Sequence, residues 1–262
     1  MQNVKPLKRF GQNYLHDKNI IKKIVREINP QPDDTIMEIG PGRGALTELI
    51  YGKTENFIAV EIDTRVIEDL GSKFPGLQLI KKDFLKVDIS TIYDSNKKKL
   101  RIIGNIPYNL TSSIIFKTIR SAEFIEDAVL MVQNEVAKRM TAKKGSKDYG
   151  ILTVLLNYFT DTKVCFKVSP NAFYPKPKVT SAVVHLRFKE LSISKEKREM
   201  FISIVKACFG NRRKTLKNSL SNSIFKELNF SDSGIDLSLR AEQLDVKDFL
   251  VLTEFALNQT GE

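Results

Sequence analysis

Cysteine is nearly absent, with only Cys165 and Cys208 in 262 residues. They form no C-x-x-C unit and join no His/Cys cluster, which excludes a disulfide scaffold and a thiolate metal site; no metal is expected. Both sit among apolar neighbours (Val164-Cys165-Phe166 and Ala207-Cys208-Phe209) and read as reduced core residues of a cytoplasmic protein. No run approaches the roughly 18 apolar residues of a membrane helix. The basic start, Met1 to Arg9, is not followed by a continuous apolar stretch, which argues against a secretory signal. There is no internal repeat and no low-complexity tract.

What is present is a core-forming, strongly basic composition. Hydrophobic residues make up 42% and charged residues 28%, so a sizeable core is expected. Net charge is 42 − 31 = +11. A surplus of Lys and Arg points to a polyanion partner, because neutralising phosphates releases counterions. The length allows one generous domain, or a main domain with an appendage.

Short apolar runs alternate with amphipathic stretches over the first two thirds, the pattern of βαβ units feeding a parallel sheet. Strands are expected at Thr35–Ile39, Asn56–Glu61, Leu77–Lys81, Leu100–Gly104, Ala128–Gln133, Lys163–Val168 and Ser181–Phe188. Helices are expected at Ile20–Ile28, Leu46–Tyr51, Arg65–Lys73, Ser112–Ser121, Asn134–Thr141 and Ile151–Thr160. Lys143–Lys147 reads as an exposed loop. Beyond about Ser192 only helical patterns follow: Ser194–Cys208, Lys214–Ser219 and Val246–Asn258, with a frayed end from Gln259. The hinge falls at Lys189–Ser194, giving a sheet domain over 1–190 and a small all-helical domain over 191–262.

Glu38-Ile39-Gly40-Pro41-Gly42-Arg43-Gly44 follows the first expected strand and leads into a helix. Glycines spaced G-x-G-x-G let the backbone turn tightly beside a ligand. The dinucleotide fingerprint is G-x-G-x-x-G, with its third glycine one place later. The departure favours S-adenosylmethionine, which has no pyrophosphate to place on a helix N-terminus. Glu61 ends the second strand, 21 residues after Gly40, where a carboxylate can accept both ribose hydroxyls of a nucleoside. Asp83 ends the third and can accept an adenine amine. Asp63 reads as a helix N-cap instead.

Asn105-Ile106-Pro107-Tyr108 follows the fourth strand. The N6 lone pair of adenine is delocalised into the ring, so the amine is a poor nucleophile. The Asn105 side-chain oxygen and a backbone carbonyl can accept its two hydrogens. Those bonds strengthen as the nitrogen becomes tetrahedral and more acidic, which is differential transition-state binding. Pro107 shapes the turn and offers no competing N–H. Tyr108 can stack on a base drawn out of its helix.

With these motifs the chain resembles the ribosomal RNA adenine N6-dimethyltransferases, most closely the bacterial small-subunit group. The likeness spans nearly the whole length. It includes Arg9-Phe10-Gly11-Gln12-Asn13-Tyr14-Leu15, Glu38 to Thr47, Asn105-Ile106-Pro107-Tyr108-Asn109-Leu110-Thr111-Ser112, Phe173 to Val183, Phe209 to Leu216, and Arg240-Ala241-Glu242-Gln243-Leu244. The resemblance implies a Rossmann-like class I methyltransferase domain with a mostly parallel sheet, and S-adenosyl-L-methionine as cofactor. It implies dimethylation of two adjacent adenosines in a hairpin near the 3′ end of small-subunit rRNA, late in subunit assembly; a monomer is the default expectation. It places Asn13, Leu15, Gly40, Gly42, Glu61, Asp83 and Asn105 at the cofactor, and Phe173 against the target base opposite Tyr108. Ile106 stands where many N6-adenine methyltransferases carry a second proline, although isoleucine is familiar in the rRNA group. Phe10 and Tyr14 also fit a segment folded over the cofactor.

Arg212, Arg213, Lys214 and Lys217 cluster at an expected helix start, with 213 and 217 on one face. Together with Lys176, Lys178, Lys97–Lys99 and Lys143–Lys147 they supply charge for RNA backbone contacts. Arg240 and Glu242 read as a structural pair. Three rivals stand beside this reading: an Erm-type methylase acting on large-subunit rRNA, a catalytically silent assembly factor, and, more distantly, a nicotinamide oxidoreductase.

Overall fold

The computed structural model describes residues 12–260; Phe10 and the basic start lie outside the described residues, as do 261–262. Their order is β1 (Tyr14–Leu15), α1 (Lys18–Ile28), β2 (Thr35–Ile39), α2 (Thr47–Ile50), β3 (Asn56–Glu61), α3 (Thr64–Lys73), β4 (Gln78–Lys81), α4 (Ile89–Asn96), β5 (Leu100–Asn105), α5 (Thr111–Arg120), β6 (Ile125–Gln133), α6 (Asn134–Met140), α7 (Ile151–Phe159), β7 (Thr160–Val168), β8 (Phe173–Tyr174), β9 (Ser181–Phe188), α8 (Lys195–Phe209), α9 (Leu216–Ser221) and α10 (Val246–Thr260). All seven expected strands form, and all nine expected helices.

Seven strands build one sheet in the order β4-β3-β2-β5-β6-β9-β7. Strands β2 to β6 run parallel, and β9 joins β6 antiparallel. All five residues of β2 are buried, as a central strand covered on both faces requires. The order reverses between β2 and β5, so the carboxyl ends there open a crevice. Helix α1 starts at Asp17, whose side chain accepts from the Asn19 and Ile20 amides, and ends at Asn29 with φ 48°. Its buried stripe, Ile21, Ile24, Val25 and Ile28, packs with Ile36, Ile103 and Val129.

A buried charge network ties the amino ends of the strands. Arg101 donates to Asp127 in bidentate fashion (2.9 and 2.7 Å), to Asp34 (2.7 Å) and to the Ile28 carbonyl (2.6 Å). His185 bridges Asp127 (2.9 Å) and Glu27 (3.1 Å). Burial pushes the Asp127 carboxyl up, but the His185 and Arg101 hydrogen bonds outweigh it and leave Asp127 below its ordinary value.

Compactness groups the described residues up to Ala137 with Thr162–Lys189, and Lys138–Asp161 with those from Glu190 onward. The second group is centred on aromatic contacts: Tyr158 and Phe201 lie 4.8 Å apart, and Phe209 stacks on Phe249 at 5.8 Å. Residues 259 and 260 are helical, against the expected fraying, because the Gln259 amide exchanges two hydrogen bonds with the Asn229 backbone. Cys208 is buried, which pushes its thiol up to about 12; Cys165 is only partly buried, and both are free.

Candidate active site

The carboxyl ends of β2, β3 and β5 and the loop after β4 surround a cavity of about 250 Å³. All seven expected cofactor residues, Asn13, Leu15, Gly40, Gly42, Glu61, Asp83 and Asn105, line it together with Pro107 and Tyr108. After β2 the chain enters the glycine loop, where Gly42 has φ +53°. A Cβ there would lie 3.0 Å from Cε1 of Tyr14, so the site demands glycine on both counts. The Arg43 guanidinium covers the Tyr14 ring at 4.7 Å. Gly44, at φ +78°, faces the Phe74 and Leu70 side chains of the α3 region equally closely.

Glu61 is held by backbone amides. Its Oε1 accepts from Ile62 and Asp63 (both 2.9 Å), and its Oε2 accepts from Gly42 (3.2 Å). Burial raises its pKa, with these three bonds opposing. Glu38 beneath the loop is fully buried and pushed up to about 8, chiefly by burial, although the Thr47 hydroxyl donates to it at 2.7 Å. Asp63 caps α3 and pairs with Arg65, as its position implied. Asp83 accepts from the Leu85 amide at 2.9 Å while facing the cavity.

Tertiary structure adds residues that carried no assigned role. Ile62 is 49% exposed and lines the cavity, offering an apolar surface to a purine face. Gln12 anchors the entering chain to Asp63 at 3.0 Å. A fixed carboxylate at Glu61, a second at Asp83 and an apolar face between them fit the adenosine part of S-adenosylmethionine.

Asn105 ends β5. Its side-chain amide donates to the Asn13 backbone carbonyl at 2.7 Å, so Oδ1 stays available as an acceptor. Tyr108 begins the short turn after Pro107, and its hydroxyl bonds the Ser181 hydroxyl at the start of β9. Burial raises the Tyr108 pKa, so the phenol is neutral.

Phe173 departs from expectation. It belongs to β8, which pairs with β1 so that Leu15 opposes Phe173 and Tyr14 opposes Tyr174. Opposed residues share a face and neighbours alternate. Phe173 is 3% exposed and packs in the apolar cluster beside Leu15; Leu15 lines the cavity and Phe173 does not.

The basic residues also divide. Lys176 and Lys178 are exposed, as are Arg213, Lys214 and Lys217. Arg212 is exposed as well, but its guanidinium is engaged: it donates to the Lys147 carbonyl (2.7 Å) and the Tyr149 carbonyl (3.2 Å) and approaches Glu242 at 4.0 Å. Glu242 therefore pairs with Arg212 rather than Arg240. Helix α9 begins at Leu216 behind the Thr215 cap, so Arg213 lies in the preceding turn and the shared helical face with Lys217 does not form. Lys97 and Lys98 are engaged by Asp94 and Asp33.

A nucleoside-binding crevice on this strand order, with its last strand antiparallel, defines a class I S-adenosylmethionine-dependent methyltransferase. The family profile described as "Ribosomal RNA adenine dimethylase" matches residues 3–257, and the chain belongs to that family. It is 43% identical to "Ribosomal RNA small subunit methyltransferase A" of Francisella tularensis subsp. novicida (strain U112), over 96% of this chain and 97% of that protein. Among solved structures it is similar to a dimethyladenosine transferase from Plasmodium falciparum (TM-score 0.75, 25% identity, 94% of this chain and 98% of that one). It is also similar to the 23S rRNA methyltransferase ErmE (TM-score 0.65, 27% identity, 93% and 99%). The methyl donor of this family is S-adenosyl-L-methionine, matching the site.

Proposed function

We propose that this chain dimethylates the N6 amines of two adjacent adenosines in a hairpin near the 3′ end of small-subunit rRNA, working on a late assembling subunit in the cytoplasm as a monomer. The observation that carries the reading is Asn105, held by Asn13 at the edge of the cofactor cavity with its carbonyl oxygen free. The bound cofactor supplies a sulfonium methyl, an electrophile that needs no further activation.

The chain's residues bind and orient. Glu61 and Asp83 accept from the cofactor's ribose and adenine, and Gly40 and Gly42 let the backbone come close. Asn13 and Leu15 close one wall. Asn105 Oδ1 accepts one N6 hydrogen and a backbone carbonyl of the Asn-Ile-Pro segment the other, aiming the nitrogen lone pair at the methyl. Tyr108 stacks on the base. The methylated nitrogen is acidic enough to lose its proton to solvent, so no strong base is required. The sheet-centred part carries this chemistry. The helical part supplies RNA backbone contacts through Arg213, Lys214 and Lys217, and Lys176 and Lys178 add their charge. Arg212 supports the loop around Lys147.

The test is transfer of labelled methyl groups to undermethylated small and large ribosomal subunits, with nucleosides identified by mass spectrometry. Dimethyladenosine in the small-subunit RNA is expected. Label confined to the large subunit would favour an Erm-type target, and no label in either would leave a binding factor.

A further inference from the structure

The two-stranded ribbon of β1 and β8 borders the cavity, which both Tyr14 and Leu15 of β1 line. Leu15 and Phe173 share the face that packs into the core, although Leu15 also reaches the cavity. On the other face Tyr14 lines the cavity, and Tyr174 stands directly opposite it in register. Tyr174 is 61% exposed, the most exposed aromatic ring among the described residues. No hydrogen bond or ring contact holds its side chain within the described residues. The backbone beneath it is not free: β8 is hydrogen-bonded to β1, and Pro175 and the buried Pro177 restrict the chain that follows. Lys176 and Lys178 are both exposed on that same loop.

An unpartnered, exposed ring on a braced backbone, followed by two exposed lysines, is preorganised to meet a ligand at little ordering cost. Aromatic side chains between positive charges suit single-stranded nucleic acid, where bases stack on the ring and phosphates meet the cations. We propose that Tyr174 is a stacking platform for an unpaired RNA base at the mouth of the cavity, next to the adenine being methylated. This rests on the function given above and extends it: two stacking surfaces, Tyr108 for the target base and Tyr174 for its neighbour, would hold a looped-out segment. Phe173, buried in the core, cannot take that role without leaving its cluster.

The test is affinity for two synthetic RNAs, a hairpin carrying the small-subunit target loop and a fully paired duplex of equal length. Tyr174→Ala is expected to weaken hairpin binding roughly five- to a hundredfold, the range of losses for a base-stacking aromatic. Tyr174→Phe should bind within about twofold of wild type. Neither variant should alter duplex binding, cofactor affinity or the salt dependence of hairpin binding, because no charge is removed. Unchanged hairpin binding by Tyr174→Ala, or an equal loss on the duplex, overturns the proposal. Methyl transfer to undermethylated small ribosomal subunits by the wild type, run in parallel, separates two failures. If it proceeds while Tyr174→Ala binds normally, stacking alone falls; if no adenosine is methylated, the functional reading falls as well.

Discussion

The side chain of Asn105 and the backbone of Asn13, 92 positions apart in the chain, meet in a 2.7 Å hydrogen bond at the cavity edge. The amide nitrogen donates to that carbonyl, which restrains rotation of the amide at a residue that lines the cavity. Two segments meet at this bond: β5, which Asn105 ends, and the entering chain that β1 fastens to β8.

Asn105→Ala removes both the acceptor and its orientation. Methyl transfer should fall by at least about a hundredfold, the scale of losing a positioned transition-state partner. RNA affinity should stay within about twofold, since loss of one uncharged side chain leaves the phosphate contacts intact. Filter binding beside single-turnover methylation checks this, and parallel losses in both would show that Asn105 holds the RNA or the fold instead.

Glu38 gives a pH dependence of defined sign. Its carboxyl is raised from 4.5 to about 8 in the folded protein. Between those values the folded state keeps a proton that the unfolded chain releases, so stability declines as pH rises through the window, by at most about 1.4 kcal/mol per pH unit. Glu38→Gln carries no titrating group and should flatten that decline. Urea unfolding of both proteins from pH 5 to 8 reads the difference; identical pH profiles would show that Glu38 ionises normally.

Arg101 joins Asp127 and Asp34 where its side chain is only 12% exposed. Arg101→Ala leaves Asp127 buried with half its compensation gone, and should cost about 3 kcal/mol of stability. Methylation per folded molecule should persist, because this network lies at the opposite ends of the strands from the glycine loop. Chemical denaturation supplies the number, and a loss below about 0.5 kcal/mol would show that water replaces the guanidinium.

Neighbouring arginines should behave differently. Arg213→Glu is expected to weaken RNA binding and reduce its salt slope by about one or more, as removal of a phosphate contact does. Arg212→Ala should chiefly loosen the loop at Lys147–Tyr149, raising its amide exchange. If both variants gave the same salt slope as wild type, the turn before α9 would lie outside the RNA footprint.

Much of the fold was legible because the period of the apolar residues and the strand-end glycines are local signals. Helix α4 was not anticipated. Its Ile-Ser-Thr-Ile-Tyr-Asp-Ser-Asn sequence is polar, and among its residues Ile89 alone is classed as buried. Strands β1 and β8 were missed for another reason: each has two residues, too few to show alternation, and they exist by pairing across more than 150 positions. Ile62 at the cavity had no motif to announce it, and Gln12, inside the quoted amino-terminal motif, carried no assigned role. Phe173 was expected against the target base and packs in the core instead, while Arg212, expected at RNA, also donates to backbone carbonyls that no local signal announced.

Local sequence determined the alternating strands and helices, the glycine loop after β2, the carboxylates at strand ends and the turn at Asn105, since each depends on residues adjacent in the chain. Only the tertiary structure decided which way each side chain faces and which polar groups are already satisfied. Those outcomes depend on pairings such as Asn13 with Asn105, Tyr14 with Tyr174 and Arg212 with Lys147. Contacts between segments far apart in the chain leave no periodic mark on either one.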